Sequence, residues 1–174
     1  GTPFFHDQQI REMQSERSEL ERELYLQALH KTASMSLIQY EVSNFAKADF
    51  QSRSNLKVWD GQPYLGLGCG AHSFDGVNRW GNVRSMRKYM ESVGREEPPR
   101  DFMETPTRLQ QASERLMLSL RRPEGLNILS WQEEFQIGLS LEQKNQMEKL
   151  KDQDLVSWES PILKLTTEGF LLAD

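Results

Sequence analysis

The first apolar pattern along the chain has the period of a helix. Between residues 8 and 31, apolar side chains recur at helical spacing and acidic side chains occupy the opposite face. The apolar positions are Ile10, Met13, Leu20, Leu24 and Leu29. Such spacing predicts an amphipathic helix with one buried face. The small and polar residues at 32–36 then end the period.

The pattern changes next to the alternation of a strand. Residues 37–42 alternate Ile38, Tyr40 and Val42 with Gln39 and Glu41. This alternation predicts a strand, and a helix followed by a strand is the unit of a parallel barrel or sheet. We therefore expect Tyr40 and Glu41 to lie at a barrel mouth, where cofactor-binding polar groups gather. Residues 43–61 have no clear period and predict a long loop of the functional or mobile kind.

Residues 64–75 combine a strand pattern with a glycine pattern. Tyr64, Leu65 and Leu67 predict a short apolar strand, and three glycines alternate along its end. These glycines are Gly66, Gly68 and Gly70. Glycine within a strand marks a bend, a bulge or the close approach of a ligand or another backbone. Two interpretations stay open, namely a strand end shaped for contact with a ligand and a turn packed tightly against its own core.

The second half of the chain predicts a separate helical unit. A short helix is expected at residues 85–93, packing Met86, Tyr89, Met90 and Val93. Charged and proline-containing residues at 94–104 mark the domain boundary. Beyond it, a helix capped by Thr105, a second helix at 128–135 and a third that begins with the Ser140–Gln143 capping box precede a hairpin at 155–166.

This order of elements predicts the fold class and the domains. Three helices followed by a hairpin is the order of a winged-helix module. The expected class is α/β, with α+β character overall, in which the last units of a partial parallel (β/α) barrel precede a small winged-helix-like domain. The expected domains are residues 1–94 and 105–174, with a linker at 95–104.

Charge argues against nucleic acid as the partner of such a module. Between residues 140 and 154, three lysines are outnumbered by four acidic side chains. Phosphate contacts need clustered lysine and arginine, so this stretch does not suit DNA or RNA. The whole chain of 174 residues has a net charge of −5, which gives no support to an anionic membrane partner either. The single cysteine, Cys69, excludes an internal disulfide and suits the reducing cytoplasm.

Four ordered motifs resemble a known family. They are the opening GTPFF, YEVSNFAK at residues 40–47, SRSNLKVW at 52–59 and YLGLGCGAHSFD at 64–75. Together they resemble the C-terminal half of the oxygen-independent coproporphyrinogen III oxidase-like radical S-adenosylmethionine family, in its heme chaperone branch. The resemblance implies that this chain is the C-terminal portion of a longer protein that holds S-adenosylmethionine, a [4Fe–4S] cluster and heme. One cysteine cannot supply the three thiolates of such a cluster.

The resemblance also implies where cofactors bind. Cofactor-binding candidates are Gly66, Gly68, Gly70, His72, Tyr40 and Glu41. The family's heme motif, H-N-x-x-Y, falls on residues 54–58, where Ser54 and Val58 replace the histidine and tyrosine and Asn55 alone matches. The heme candidates are therefore Asn55 and His72. His6 and His30 rank below His72, since neither lies beside a glycine-opened loop.

Three functions follow as expectations. The resemblance implies a heme chaperone that transfers heme to acceptor proteins. The enzymatic alternative is radical decarboxylation of coproporphyrinogen III in porphyrin biosynthesis. The third alternative is a structural or protein-interaction domain.

Overall fold

The computed structural model describes the backbone of residues 8–173 and the side chains of residues 19–173. The GTPFF motif, His6 and the side chains of Ile10 and Met13 lie outside that part. Within it, the helices are α1 (Gln8–Ser34), α2 (Arg53–Trp59), α3 (Met86–Gly94), α4 (Arg108–Leu120), α5 (Ile128–Phe135), α6 (Leu141–Asp152) and α7 (Thr167–Phe170). The strands are β1 (Ile38–Glu41), β2 (Asn44–Ala46), β3 (His72–Phe74), β4 (Arg79–Asn82), β5 (Arg100–Glu104), β6 (Leu126–Asn127), β7 (Val156–Glu159) and β8 (Ile162–Leu165). Helix and sheet are thus mixed, as expected.

The strands form three small antiparallel sheets. Strand β1 pairs with β2, the second sheet has the order β3-β4-β5, and the third has the order β6-β8-β7. Every pairing among the described residues is antiparallel, so the expected parallel units are not found in this part of the chain. Strand β1 pairs antiparallel because of its short connection to β2. The two residues between these strands are enough for a hairpin and far too few for a parallel crossover.

The predicted alternation along β1 is wrong. Tyr40 and Glu41 are both buried, at 8% and 1% exposure, whereas Ile38 is 63% exposed. The register between β1 and β2 shifts between Gln39 and Glu41. A bulge of this kind breaks the two-residue period and turns neighbouring side chains toward the same side.

Helix α1 is confirmed, but its predicted buried face is not. Leu20 and Leu24 are 55% and 54% exposed. Polar contacts join the described part of α1 to the rest of the chain, and Leu29 is half-buried. Arg22 forms an ion pair with Glu168 on α7, and the Tyr25 hydroxyl donates to the side-chain oxygen of Gln39 at 3.0 Å.

Two stretches predicted without regular structure contain short elements. Residues 43–61 hold β2 and α2, and residues 94–104 hold β5, the edge strand that pairs with β4. Neither stretch has an apolar period, because α2 has no buried residue and β5 is exposed along its whole length. Helix α3 forms as predicted, although Met86, Met90 and Val93 are exposed.

The C-terminal part carries the main core. Its seven buried residues are Ala112, Leu126, Ile128, Trp131, Phe135, Val156 and Leu163. Helices α5 and α6 and the β7–β8 hairpin agree with the prediction. Helix α4 is capped by Thr107 in a capping box with Gln110, in place of the expected Thr105. The indole N–H of Trp131 donates to the carbonyl of Ala112 at 2.9 Å, which joins α5 to α4.

No helix in the described part of the chain is long and apolar enough to cross a membrane.

Candidate functional site

The glycine segment, residues 64–71, lies beside the β3-β4-β5 sheet. Its first part is extended, and residues 68–70 form a turn. The expected strand at Tyr64–Leu67 is reduced to one bridge, in which Tyr64 and Phe74 exchange backbone hydrogen bonds of 2.8 and 2.9 Å. The regular strand begins later, at His72. The reason lies in the glycines, which offer no side chains to pack and weaken a strand interior.

Along the edge of this segment that faces the sheet, the inner edge, side chains make the hydrogen bonds that a neighbouring strand would otherwise make. The backbone N–H of Gly66 donates to the hydroxyl of Ser73 at 2.9 Å, and that of Gly68 donates to the hydroxyl of Tyr89 at 3.1 Å. The amide of Asn82 donates to the carbonyls of Gly66 and Gly68, at 3.4 and 2.9 Å. Ser73 and Asn82 are buried, so these hydrogen bonds fix the path of the segment.

The three glycines are needed for different reasons. A Cβ on Gly66 would lie 2.1 Å from the carbonyl oxygen of His72, so packing alone excludes a side chain there. Gly68 has φ +101° and open space where its Cβ would be, and Gly70 has φ +70°. The packing interpretation therefore fits Gly66, and the interpretation of an open approach fits Gly68.

The outer edge of the segment is open. Leu65 and Leu67 are 71% and 81% exposed. Their backbone N–H and C=O groups have no hydrogen-bond partner in the part of the chain that the structure describes. Extended backbone alternates its hydrogen-bonding groups between two edges, and here the even-numbered residues use the inner edge.

His72 lies on an exposed face of the sheet beside an aromatic ring. It is paired with Gly81 of β4, and Gly81 is paired with Phe102 of β5. The rings of His72 and Phe102 meet edge to face with centroids 5.4 Å apart. A Cβ on Gly81 would lie 2.4 Å from the Phe102 ring, so this glycine is what lets the two rings meet across the central strand. No described residue forms a hydrogen bond with the imidazole of His72.

Tyr40 and Asn55 form a second cluster around the start of α2, and Glu41 lies next to Tyr40 in β1. The hydroxyl of Tyr40 accepts the backbone N–H of Ser52 at 3.4 Å, and Ser52 caps α2 by accepting the N–H of Asn55 at 3.3 Å. The Glu41 carboxylate accepts the N–H of Ser43 in the β1–β2 turn at 3.2 Å. Within the described residues, no hydrogen bond joins this cluster to the glycine segment.

The heme-motif positions lie on the exposed face of α2. Ser54 and Val58 are four residues apart in this helix and are both exposed. Residues at that spacing share one helix face. A histidine and a tyrosine at these positions would therefore project together toward solvent.

Sequence reasoning missed Ser73, Asn82 and Tyr89, which hold the glycine segment. Asn82 lies in β4, and its side-chain amide donates to the carbonyls of residues 14 and 16 positions earlier. A buried amide in a strand with glycine beside it is the nearest sequence signal, and the partners are set by tertiary packing. No group of three metal-ligating side chains occurs within the described part, where Cys69 is partly exposed and free.

Several known proteins similar to this chain carry the name of a heme chaperone. No family model matches the chain. The chain is 30% identical to the heme chaperone HemW of Bacillus subtilis over 174 residues, which are 99% of this chain and 46% of that protein. HemW of Mycobacterium tuberculosis is 31% identical over 135 residues, which are 78% of this chain and 33% of that relative.

The chain is similar over its whole length to a part of HemW. The resemblance drawn from the four motifs is thereby confirmed. The chain spans less than half the length of the HemW relatives just described. Their cofactors and activity therefore concern proteins longer than this chain of 174 residues.

A solved structure shares the fold of most of the chain. Coproporphyrinogen III oxidase (HemN) from Escherichia coli, titled a radical SAM enzyme, matches with a TM-score of 0.67 over 85% of this chain and 38% of its own. The two sequences are 16% identical, so this likeness concerns the fold alone. HemW relatives and HemN thus agree with the expected family at the levels of sequence and architecture.

Proposed function

We propose that this chain is part of a heme chaperone and that it contacts heme through the exposed sheet face around His72. The observation that carries the proposal is the His72–Phe102 pair, an exposed imidazole without a described hydrogen-bond partner beside an aromatic ring. Heme iron is commonly held by histidine, and a porphyrin presents a flat apolar surface to neighbouring side chains. The missing side chain at Gly81 lets the Phe102 ring lie over the central strand next to His72.

Binding by this chain alone is expected to be weak. Ser54 and Val58 are not heme ligands, so the exposed face of α2 lacks the side chains that the family motif provides. Asn55 matches the motif, but its backbone and side chain are engaged at the N-terminus of α2. His72 is therefore the proposed heme ligand. Asn55 is proposed to act indirectly, by fixing the start of α2, the motif helix that carries residues 54 and 58.

A heme titration tests the ligand. The wild-type chain should give a small Soret change that His72→Ala abolishes. His30→Ala is the matched control, because His30 is also exposed but lies on α1. Ser54→His should strengthen binding by adding an imidazole to the exposed face of α2. Tight binding that survives His72→Ala would overturn the assignment.

The cofactors of the longer relatives are a separate part of the proposal. The glycine segment, above all Gly68 and Gly70, is proposed to approach S-adenosylmethionine in the whole protein. The residues of this chain do not make up a [4Fe–4S] site, because Cys69 is its single thiol. Heme-acceptor proteins are the proposed partners, and cytoplasm is the proposed location.

Coproporphyrinogen oxidation remains the second candidate function. The shared fold with HemN is the observation that favours it. The named relatives favour the chaperone, since the HemW proteins of Bacillus subtilis and Mycobacterium tuberculosis match 99% and 78% of the chain. Turnover of coproporphyrinogen III by the whole protein would decide for the enzyme.

The finer architecture is also proposed. The order α4, β6, α5, α6, β7, β8, with β8 between β6 and β7, supports a winged-helix-like module within residues 105–174. Residues 1–94 are proposed to complete a barrel in the longer relatives, with residues 95–104 as the connection to the module. Strand β5 lies in that connection and extends the sheet before it.

A further inference from the structure

Helix α2 ends in a turn that leaves one carbonyl free for a partner. Gly61 has φ +65°, its N–H donates to the carbonyl of Val58 at 2.9 Å, and the N–H of Gln62 donates to that of Lys57 at 2.9 Å. This is the Schellman arrangement, which satisfies the last carbonyls of the helix from within. The carbonyl of Asp60 is not used by that arrangement.

Two arginines from the C-terminal part bind Asp60. The guanidinium of Arg115 donates from Nη1 to the Asp60 carbonyl at 2.6 Å. Arg122 forms an ion pair with the Asp60 carboxylate and lies 3.2 Å from the carboxylate of Glu124. Cations at a helix C-terminus also interact favourably with the helix dipole. Asp60 therefore has both its backbone and its side chain bound by cations.

Helix α2 is only partly packed, with Leu56 and Trp59 half-buried. The helix has seven residues and no buried side chain. Isolated helices of this length are unstable in water, so its position depends on contacts at its ends. The N-terminal contact is the hydrogen bond from Ser52 to Tyr40, and the C-terminal contact is the pair of arginines.

Arg115 lies in α4 and Arg122 lies two residues after the end of this helix, so both are anchored to the main core. Helix α4, which carries Arg115, buries Ala112 and Ser119. Ala112 lies in the main core and accepts the indole hydrogen bond of Trp131. Next to Arg115, Glu114 binds Arg79 of β4 at 2.6 Å, and this hydrogen bond raises the pKa of Arg79. Helix α4 thus contacts both the motif helix and the glycine-bearing sheet.

We propose that Arg115 and Arg122 are positioning residues. Through their contacts with Asp60 they form a clamp that fixes the orientation of α2, and with it the direction in which residues 54 and 58 project. This inference rests on the proposed function, because α2 matters as the carrier of residues 54 and 58. It also gives the helical module a role that needs no nucleic acid.

Amide hydrogen exchange without heme tests the clamp itself. In the Arg115→Gln, Arg122→Gln double variant, α2 amides should exchange at least about tenfold faster, because the variant loses a charge-assisted hydrogen bond and a partly exposed ion pair. Amides of α5 should keep their protection, because the core is untouched. Arg87→Gln is the control, since it removes an exposed ion pair on α3. Unchanged exchange in α2 would overturn the clamp.

A spectroscopic arm tests the positioning role. In the Ser54→His background, the double variant should lower heme affinity severalfold, because a less firmly held α2 presents residue 54 in the binding geometry for a smaller fraction of the time. Arg122→Lys should retain more affinity than Arg122→Gln. Faster exchange with unchanged affinity would overturn positioning. If no variant binds heme, the proposed function fails, and the clamp is accepted or rejected on exchange alone.

Discussion

Residues within one motif serve different ends in this chain. The pattern G-x-G-x-G indicates positions that exclude side chains. The structure shows that the reason differs between the glycines. Gly66 is excluded from having a side chain by the carbonyl of His72, whereas Gly68 adopts a backbone conformation that other residues rarely adopt. The spacing of the glycines indicates a special segment. It does not distinguish packing from conformation, because that depends on contacts with residues several positions later.

The glycines should therefore differ in stability experiments. Gly66→Ala is expected to lower the free energy of unfolding by about 3 kcal/mol, because backbone must move. Gly68→Ala should cost about 1–2 kcal/mol from strain at positive φ. Gly94→Ala is the control, since its Cβ would meet nothing within 4 Å, and it should be neutral or slightly stabilising. Urea denaturation measures all three, and equal losses at Gly66 and Gly94 would contradict the assignment.

Secondary-structure elements are predictable where a local signal is strong. Helices α5 and α6 and the β7–β8 hairpin follow from apolar spacing and from the Ser140–Gln143 capping box, which the structure contains. Elements without a buried face escape prediction. Helix α2 and strand β5 bury no residue, so their sequences carry no period that separates them from loops. The parallel pairing expected of β1 is wrong because its connection to β2 is too short for a crossover.

The turn between β3 and β4 predicts a pH dependence. The Asp75 carboxylate accepts the N–H groups of Val77 and Asn78 at 2.8 and 2.6 Å. The hydrogen bond from Asn78, followed by that from Val77, lowers the pKa of Asp75. A lowered folded-state pKa adds stability above the unfolded value of about 3.9, and this stability is lost as pH falls through the folded value.

Backbone amide shifts of Val77 and Asn78 should therefore titrate with a midpoint below about 3.9. The unfolding midpoints of the wild type and Asp75→Ala should differ at neutral pH and converge in acid. Asp101→Ala is a control at an exposed carboxylate of β5. A midpoint at or above the ordinary aspartate value would contradict the role of these hydrogen bonds.

At the scale of the whole molecule, the C-terminal part is the more self-contained. Its core residues come from α4, β6, α5, β7 and β8, and all seven lie between residues 112 and 163. The part before it has small sheets with open edges and several exposed apolar side chains, including Phe50 at 80% and Met86 at 66%. We expect amides in residues 105–173 to be better protected from exchange than those before residue 94.

The open edge at Leu65 and Leu67 leads to the last prediction. Exposed backbone groups and apolar side chains on one extended segment are a template for pairing with another chain. The chain is therefore expected to self-associate as its concentration rises, and Leu67→Lys should suppress this association by placing a charge on the edge. Leu172→Lys is the matched control, because Leu172 is 70% exposed but follows α7, outside the open edge. Sedimentation velocity measures the change, and equal suppression by both variants would show that general charge, and not this edge, controls association.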